Sequence, residues 1–366
     1  MSVTKVTTPV IDSPGLESGQ RNFIIDGDFT SWVSGNVTGV VHSAYTSTLM
    51  MAKKTAMDNL VWDAKQTSDA PTVAESGHSS TYCYHADITT AESALANDEY
   101  SSARYHVTAN DFAHLHQKEM TLSFWHKHTK TGTCCVSIGN SAGDRYYVAT
   151  YTQSVSDTWE KATITLTGDT SGTWLYAGTG VGMTMDFVLA SGSNYHATAN
   201  TWTAGFKVGV SGMADHTDSA SNNFKIAQVG LYKGSSAPSS FVGESIATVK
   251  DQVDYYLQRW GSPETTAAND PCPTGGGHNS ATTTADYTIV FRRGMRVEPT
   301  MTEASASGFR IYHTAAVPQT TNMVEQATTL HGTRYVATVS SGLTQGHASQ
   351  LLFDASDDFI MADARH

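Results

Sequence analysis

From Asn22 onward the chain alternates between apolar and polar residues in short runs broken by Gly, Asn, Asp and Ser. NFIIDGDF, TYCYHADI, MTLSFWHK, CCVSIGN, YYVATYT, EKATITLTG, GMTMDFVLA, AGFKVGV and NFKIAQVGLY carry the β-branched and aromatic residues that suit strands. Many short strands with turn signals between them predict a sandwich or barrel. In the stretch from Met120, alternation places Met120, Leu122, Phe124, His126 and His128 on one face. Thr121, Ser123, Trp125, Lys127 and Thr129 then take the other. KTG reads as a turn and CCVSIGN as the returning partner, so residues Thr121 to Asn140 are expected to form a core hairpin.

The texture changes after Pro238. Between Glu244 and Trp260 the apolar residues Ile246, Val249, Val253, Tyr256, Leu257 and Trp260 recur at spacings of three and four, which predicts a helix stopped by Gly261 and Pro263. Its stripe is expected to pack between domains or against symmetry mates, with Arg259 near the helix carbonyls. Beyond a loop containing CPTGGGHN, the runs DYTIVF, PTMTEAS, FRIYHTA, TRYVATV, SQLLFDAS and FIMADA predict further strands. The expected fold class is mainly β, two sandwich domains joined by one helix. The expected boundaries are an extended arm over residues 1–21, broken by Pro9 and Pro14, a first β domain over 22–237, a connecting helix over 238–262 and a C-terminal β-sandwich over 263–366.

Composition narrows the partners. Charged residues are only 15% of the chain and hydrophobic residues 39%, leaving a surface of Thr, Ser, Gly, Asn and Tyr. With 22 basic against 34 acidic residues the formal charge is -12, which opposes phosphate backbones and anionic lipid. Nucleic acid is therefore not an expected partner. No run approaches the ~20 apolar residues that span a bilayer, so membrane insertion is not expected either. The opening MSVTKVTTPVIDSPG lacks the apolar centre of a secretion signal, which predicts release into the cytoplasm where the chain is made. Cys83, Cys134, Cys135 and Cys272 are too few and too scattered for a disulfide framework and are expected to be free thiols.

Seven stretches, MTLSFWHKHTKTGTCCVSI, SDTWEKATITLTGDTSGTW, FVLASGSNY, NNFKIAQVGLYKG, SIATVKDQVDYYLQRW, FRRGMRVEPTMT and FIMADAR, follow in order the pattern of bacteriophage virion proteins of the tail-fibre and tail-spike type. NFIIDGDFTSW resembles the strand that opens the carbohydrate-binding-like jelly roll of such proteins. The resemblance implies that residues 22–237 form a jelly roll. It also implies a virion component, assembled in the host cytoplasm, that binds other virion proteins, self-associates with a trimer favoured, and touches host cell-surface glycan. Related modules occur in fibres, spikes and head-associated decorations. Jelly rolls of this kind often hold a structural calcium, for which Asp26 and Asp28 are the candidate ligands. The last strand departs from the pattern, with Ala227 and Gln228 where an acid is expected.

Three chemistries compete for the remaining residues. His114 with His116 and His126 with His128 are His-x-His pairs that, on neighbouring strands, would present four imidazoles to zinc. Ordinary sheet histidines are the simpler expectation. Polysaccharide cleavage needs two carboxylates flanking a glycosidic bond. The acids here cluster beside turns and no internal repeat occurs, so an enzyme is not expected and no catalytic residue is assigned. Glycan binding needs an aromatic platform with amide and charged groups at its edge. Trp174, Tyr176, Asn194, Tyr195, His196 and Trp202 are the candidates, whereas Trp125 and Trp159 are expected to be structural. The leading expectation is a virion appendage that recognises host glycan. The alternatives are a purely architectural decoration protein and, behind both, a depolymerase.

Overall fold

A computed structural model of the protein describes residues 21–262, 269–314 and 317–366. The arm expected over residues 1–21 therefore lies outside the described residues, apart from Arg21. Residue proximity divides the chain into two compact units, Met1–Glu244 and Ser245–His366.

The strands of the first unit are β1 (Met50–Thr55), β2 (Val61–Thr67), β3 (Cys83–Thr90), β4 (Tyr100–Thr108), β5 (Glu119–His128), β6 (Gly132–Asn140), β7 (Arg145–Gln153), β8 (Glu160–Thr167), β9 (Val181–Ser191), β10 (Trp202–Ala204) and β11 (Asn223–Lys233). They form one six-stranded sheet, β1-β4-β9-β6-β7-β10, and one five-stranded sheet, β2-β3-β11-β5-β8. All pairings are antiparallel. Trp62, Leu122, Phe124 and Phe224 from one sheet and Val136, Ile138, Met185 and Phe187 from the other share a single buried core, which makes the unit a β-sandwich. Burying each such side chain contributes roughly 1.5–3 kcal/mol.

Three local expectations are overturned here. The stretch from Thr121 to Asn140 is not a hairpin, because β5 pairs with β11 and β8 while β6 pairs with β7 and β9. Residues 129–131 instead carry the chain from one sheet to the other. The alternation itself holds, with Met120, Leu122 and Phe124 in the core and Cys134 facing them across it. AGFKVGV is not a strand beyond Ala204; Phe206, Val208 and Val210 pack against Tyr100, Cys135, Val148 and Val188 on the other face of the six-stranded sheet. NFIIDGDF is a turn, with Asp26 and Phe29 at φ 56° and 52° and Phe29 N donating to Asp26 O at 2.9 Å. That turn is what lets Phe23, Ile24 and Phe29 all enter the core.

The turn is clasped to β11 where the strand bulges between Ala227 and Gly230. Val229 N donates to Gly27 O at 2.8 Å, and Asn22 Nδ2 donates to Val229 O at 3.2 Å. A Cβ on Gly27 would stand 1.9 Å from the Val229 carbonyl oxygen. Backbone must move to admit it, so Gly27→Ala is expected to lower stability by about 2–3 kcal/mol. A urea midpoint unchanged from the parent protein would show that the clasp has slack.

The second unit begins with the helix Ile246–Asp254, whose N-cap Ser245 Oγ accepts from Thr248 N at 3.2 Å. It buries Val249 and Val253. The helix expected to run from Glu244 to Trp260 is thus shorter. Leu257–Gly261 is β12, paired with β20 (Phe359–Asp363), because ladder bonds to a distant segment replace the helical ones. CPTGGGHN, expected as loop, supplies β13 (Thr274–Asn279), paired with β14 (Thr284–Val290). Its Gly277 lies where a Cβ would meet Asp286 O at 2.4 Å. With β15 (Thr300–Glu303), β16 (Phe309–Tyr312), β17 (Thr320–Thr329), β18 (Gly332–Val339) and β19 (Ala348–Phe353) they form two antiparallel sheets, β12-β20-β15 and β16-β19-β13-β14-β18-β17. Trp260, Tyr287, Phe309, Tyr335, Phe353 and Ile360 share their core. Among the described residues no helix is long and apolar enough to cross a membrane.

Candidate functional site

Two edge strands leave one side of the first sandwich to be closed by side chains. β8 ends the five-stranded sheet and β10 ends the six-stranded one. Trp202, on β10, donates its indole N–H to Thr167 O of β8 at 2.8 Å, so one side chain ties the two edges together. Its ring lies 5.3 Å from Tyr147 and meets Trp174 edge-on at 5.5 Å. Trp174 stacks on Phe112 at 5.1 Å and donates its indole N–H to Ser171 O at 2.8 Å. Beyond Phe112, His116 stacks against Tyr176 at 4.5 Å and 13°. The result is a strip of aromatic rings. Trp202, Trp174 and His116 are half-buried, while Tyr176 is 53% exposed and Leu175 beside it 43%.

Polar groups underlie the same loop. Arg145 pairs with Asp169, whose Oδ1 accepts from Ser171 N at 3.0 Å. Asn140 donates to Asp144 and, at 2.9 Å, to Thr173 O. Asn110 Oδ1 accepts from Gly178 N at 2.9 Å. The loop carrying Trp174 and Tyr176 is therefore held at several points, which lowers the entropy cost of presenting rings to a ligand.

The other glycan candidates do not join this strip. Tyr195 packs edge-on to Tyr100 at 4.9 Å and donates to Asp98 O at 3.2 Å. His196 Nε2 lies 2.9 Å from Ser191 O, and Asn194 is exposed. These three belong to the segment that covers the outer face of the six-stranded sheet. Beneath that cover lies a bidentate ion pair between Arg104 and Asp186. Sequence reasoning missed Phe112, Tyr147 and the pairing of His116 with Tyr176. Only an alternation argument carried along β7, next to the edge strand β10, could have pointed to Tyr147. In the second unit, Asn269, Arg310, Tyr312, Leu352 and Asp354 line an open groove with one exposed ring, Tyr312 at 50%.

The metal candidates are redistributed. Asp26 Oδ1 accepts from Thr30 N and Thr30 Oγ1, both at 2.8 Å, and from Ser31 N at 3.1 Å. Asp28 accepts from Ser80 Oγ at 2.5 Å and lies 3.2 Å from His78 Nε2. The two carboxylates serve different donor sets. Gln228, at the expected acidic position, donates to Ser76 Oγ at 2.9 Å and Ser80 Oγ at 2.8 Å. The four-imidazole arrangement is overturned: His114 and His116 follow a short helical turn rather than lying on a strand. His114 is exposed and near Phe23, whereas His126 and His128 are buried in the sandwich. Two further residues approach His128: Cys134, expected from sequence to be a free thiol, and His216, which sequence reasoning did not single out. One potential ligand atom from each of His128, Cys134 and His216 lies within 4.8 Å of the others. All four cysteines are free and buried.

No family model matches the chain, and no curated protein is similar to it in sequence. Several solved structures are similar at low identity. The CBM22-1 xylan-binding domain of Paenibacillus barcinonensis Xyn10C is 8% identical with a TM-score of 0.29, covering 60% of this chain and 97% of that one. The family 11 carbohydrate-binding module of the Clostridium thermocellum cellulase Lic26A-Cel5E is 12% identical with a TM-score of 0.29, covering 55% and 96%. The enzymatically active domain of bacteriophage CBA120 tailspike protein 4 is 11% identical with a TM-score of 0.27, covering 50% of this chain and 19% of that one.

Proposed function

We propose that this chain is a non-catalytic glycan-binding protein, carried on a phage particle as a fibre-like or head- or tail-attached appendage that recognises host-surface sugar. The observation that carries the glycan reading is the strip Tyr147–Trp202–Trp174 with the exposed Tyr176 at its end. Aromatic faces stack on the apolar faces of pyranose rings, and carboxylate, amide and guanidinium groups at the border bond the hydroxyls. The exposed Asp144 and the half-buried Arg145 stand at such a border, with Asp169 buried beneath and paired to Arg145. The virion assignment is supported by the seven ordered stretches that resemble tail-fibre and tail-spike proteins.

The test is binding of the labelled full chain to host cells and to their isolated surface polysaccharide. Trp202→Ala is expected to weaken binding at least about tenfold, as loss of a central aromatic anchor does. Trp202 also packs against the core, so a second variant separates binding from folding. Tyr176→Ala removes an exposed ring, is expected to leave the unfolding free energy within about 0.5 kcal/mol of wild type, and should still weaken binding severalfold. Folded protein that labels no cells and binds no polysaccharide would favour the architectural decoration reading. Fresh reducing ends from the polysaccharide would favour the depolymerase.

A further inference from the structure

The crossing between β5 and β6 has a chemical result. It sets His128, at the end of β5, and Cys134, on β6, on facing sheets inside one core. The segment before β11 then brings His216 between them. His128 and His216 are both 0% exposed, as is Cys134. The His128 ring stacks on Phe224 at 4.0 Å and meets His216 edge-on at 4.9 Å. Its Nε2 lies 3.0 Å from the Tyr151 hydroxyl, and Tyr151 is the cross-strand partner of Cys134. His216 Nε2 lies 3.4 Å from Cys134 Sγ.

Hydrogen bonding within the protein does not complete this cluster. Nδ1 of His128 and Nδ1 of His216 are both buried with no hydrogen-bond partner among the described residues. Buried polar atoms are nearly always paired, and two orphans in one cluster call for an explanation. We propose that His128, Cys134 and His216 form a buried zinc site inside the first sandwich.

The donor set suits that ion and would fill three of its four tetrahedral positions. Two imidazoles and one thiolate are borderline-to-soft ligands of the kind zinc takes in tetrahedral sites. With bonds of ~2.0–2.1 Å to nitrogen and ~2.3 Å to sulfur, tetrahedral ligands stand roughly 3.5 Å apart, and one potential ligand atom of each of the three residues already lies within 4.8 Å of the others. Burial holds both imidazoles neutral, pushing His216 down to about 3, so each has a lone pair to give. Burial also pushes the Cys134 thiol up to about 12. The thiol is therefore protonated without a cation, and binding would release its proton to solvent as the Zn–S bond forms. The hydroxyl of Tyr151 stands beside the ligands as an outer partner for His128, the role second-layer groups play in orienting a metal-bound imidazole.

The full chain, unfolded in metal-free denaturant with a non-chelating reductant, is refolded with one equivalent of Co(II), and separately with Zn(II). A thiolate-to-cobalt charge-transfer band in the near ultraviolet, intense tetrahedral visible bands and displacement by zinc are expected, with one metal bound per chain. Cys134→Ser should abolish the charge-transfer band, while Cys83→Ser should keep it. Surface histidines that bind cobalt give no thiolate band. Folded wild-type protein without the band overturns the site, as does a band that survives in Cys134→Ser. Where Cys134→Ser does not fold, His216→Gln replaces it as the variant, and a band of unchanged position and intensity there overturns the proposal equally.

Discussion

Replacing Asp186 with alanine is expected to destabilise the first unit by about 3–5 kcal/mol, the usual consequence of removing one member of a buried ion pair. The carboxylate is 0% exposed. It accepts from Arg104 Nε and Nη2, each at 2.9 Å, and from Ser102 Oγ at 2.7 Å. Burial opposes the Arg104 charge, but the adjoining carboxylate outweighs it and holds the guanidinium pKa above its ordinary value. Without Asp186 that charge is left under Phe206 with its nearest partner gone. Six of the seven tryptophans, all but Trp260, precede residue 245, so urea unfolding followed by tryptophan fluorescence reads this unit within the full chain. The paired replacement Arg104→Met with Asp186→Leu is expected to recover most of the loss, because no charge is then stranded. A single Asp186→Ala variant with the wild-type midpoint would show that the pair contributes nothing.

A second large effect is expected from pH through Asp26. Burial is the main cause that raises its pKa from 3.8 to about 7, against the bonds from Thr30 and Ser31 that favour the charged form. The folded state therefore keeps a proton that the unfolded chain releases. Between about pH 4 and pH 7 the folded state binds more protons, so stability is greatest at the acid end and falls as pH rises. The loss across that window is roughly 2–4 kcal/mol. Asp26→Asn should flatten this part of the stability curve, since asparagine keeps an acceptor oxygen for Thr30 and tolerates the positive φ. Parallel pH curves for the two proteins would rule Asp26 out as the titrating group.

Much of the first unit was legible because side-chain alternation is a local property. Met120, Leu122 and Phe124 enter the core as alternation requires, and Cys134 and Cys135 separate to opposite faces. The runs from TYCYHADI to NFKIAQVGLY are strands, with NFIIDGDF and the tail of AGFKVGV as the exceptions. Both exceptions are apolar segments that reach a core through turns, where burial rather than pleating decides the conformation. The strands Met50–Thr55, Val61–Thr67 and Tyr100–Thr108 escaped notice because their mixed composition gives a weak two-residue period. Of the glycan candidates, Trp174, Tyr176 and Trp202 come together; Asn194, Tyr195 and His196 lie elsewhere because their segment folds over the six-stranded sheet.

What the amino-acid sequence determined by itself is the strand-rich character of the chain, the inward faces of most strands and the absence of a disulfide framework. Each follows from composition or from a two-residue period. Tertiary structure decided which sheet each strand joins, since KTG is as compatible with an arch between sheets as with a hairpin. That choice brought His128, Cys134 and His216 together from three separate segments. It also ended the helix at Asp254, because the ladder between Leu257–Gly261 and Phe359–Asp363 depends on a segment about a hundred residues away that no local period can foresee.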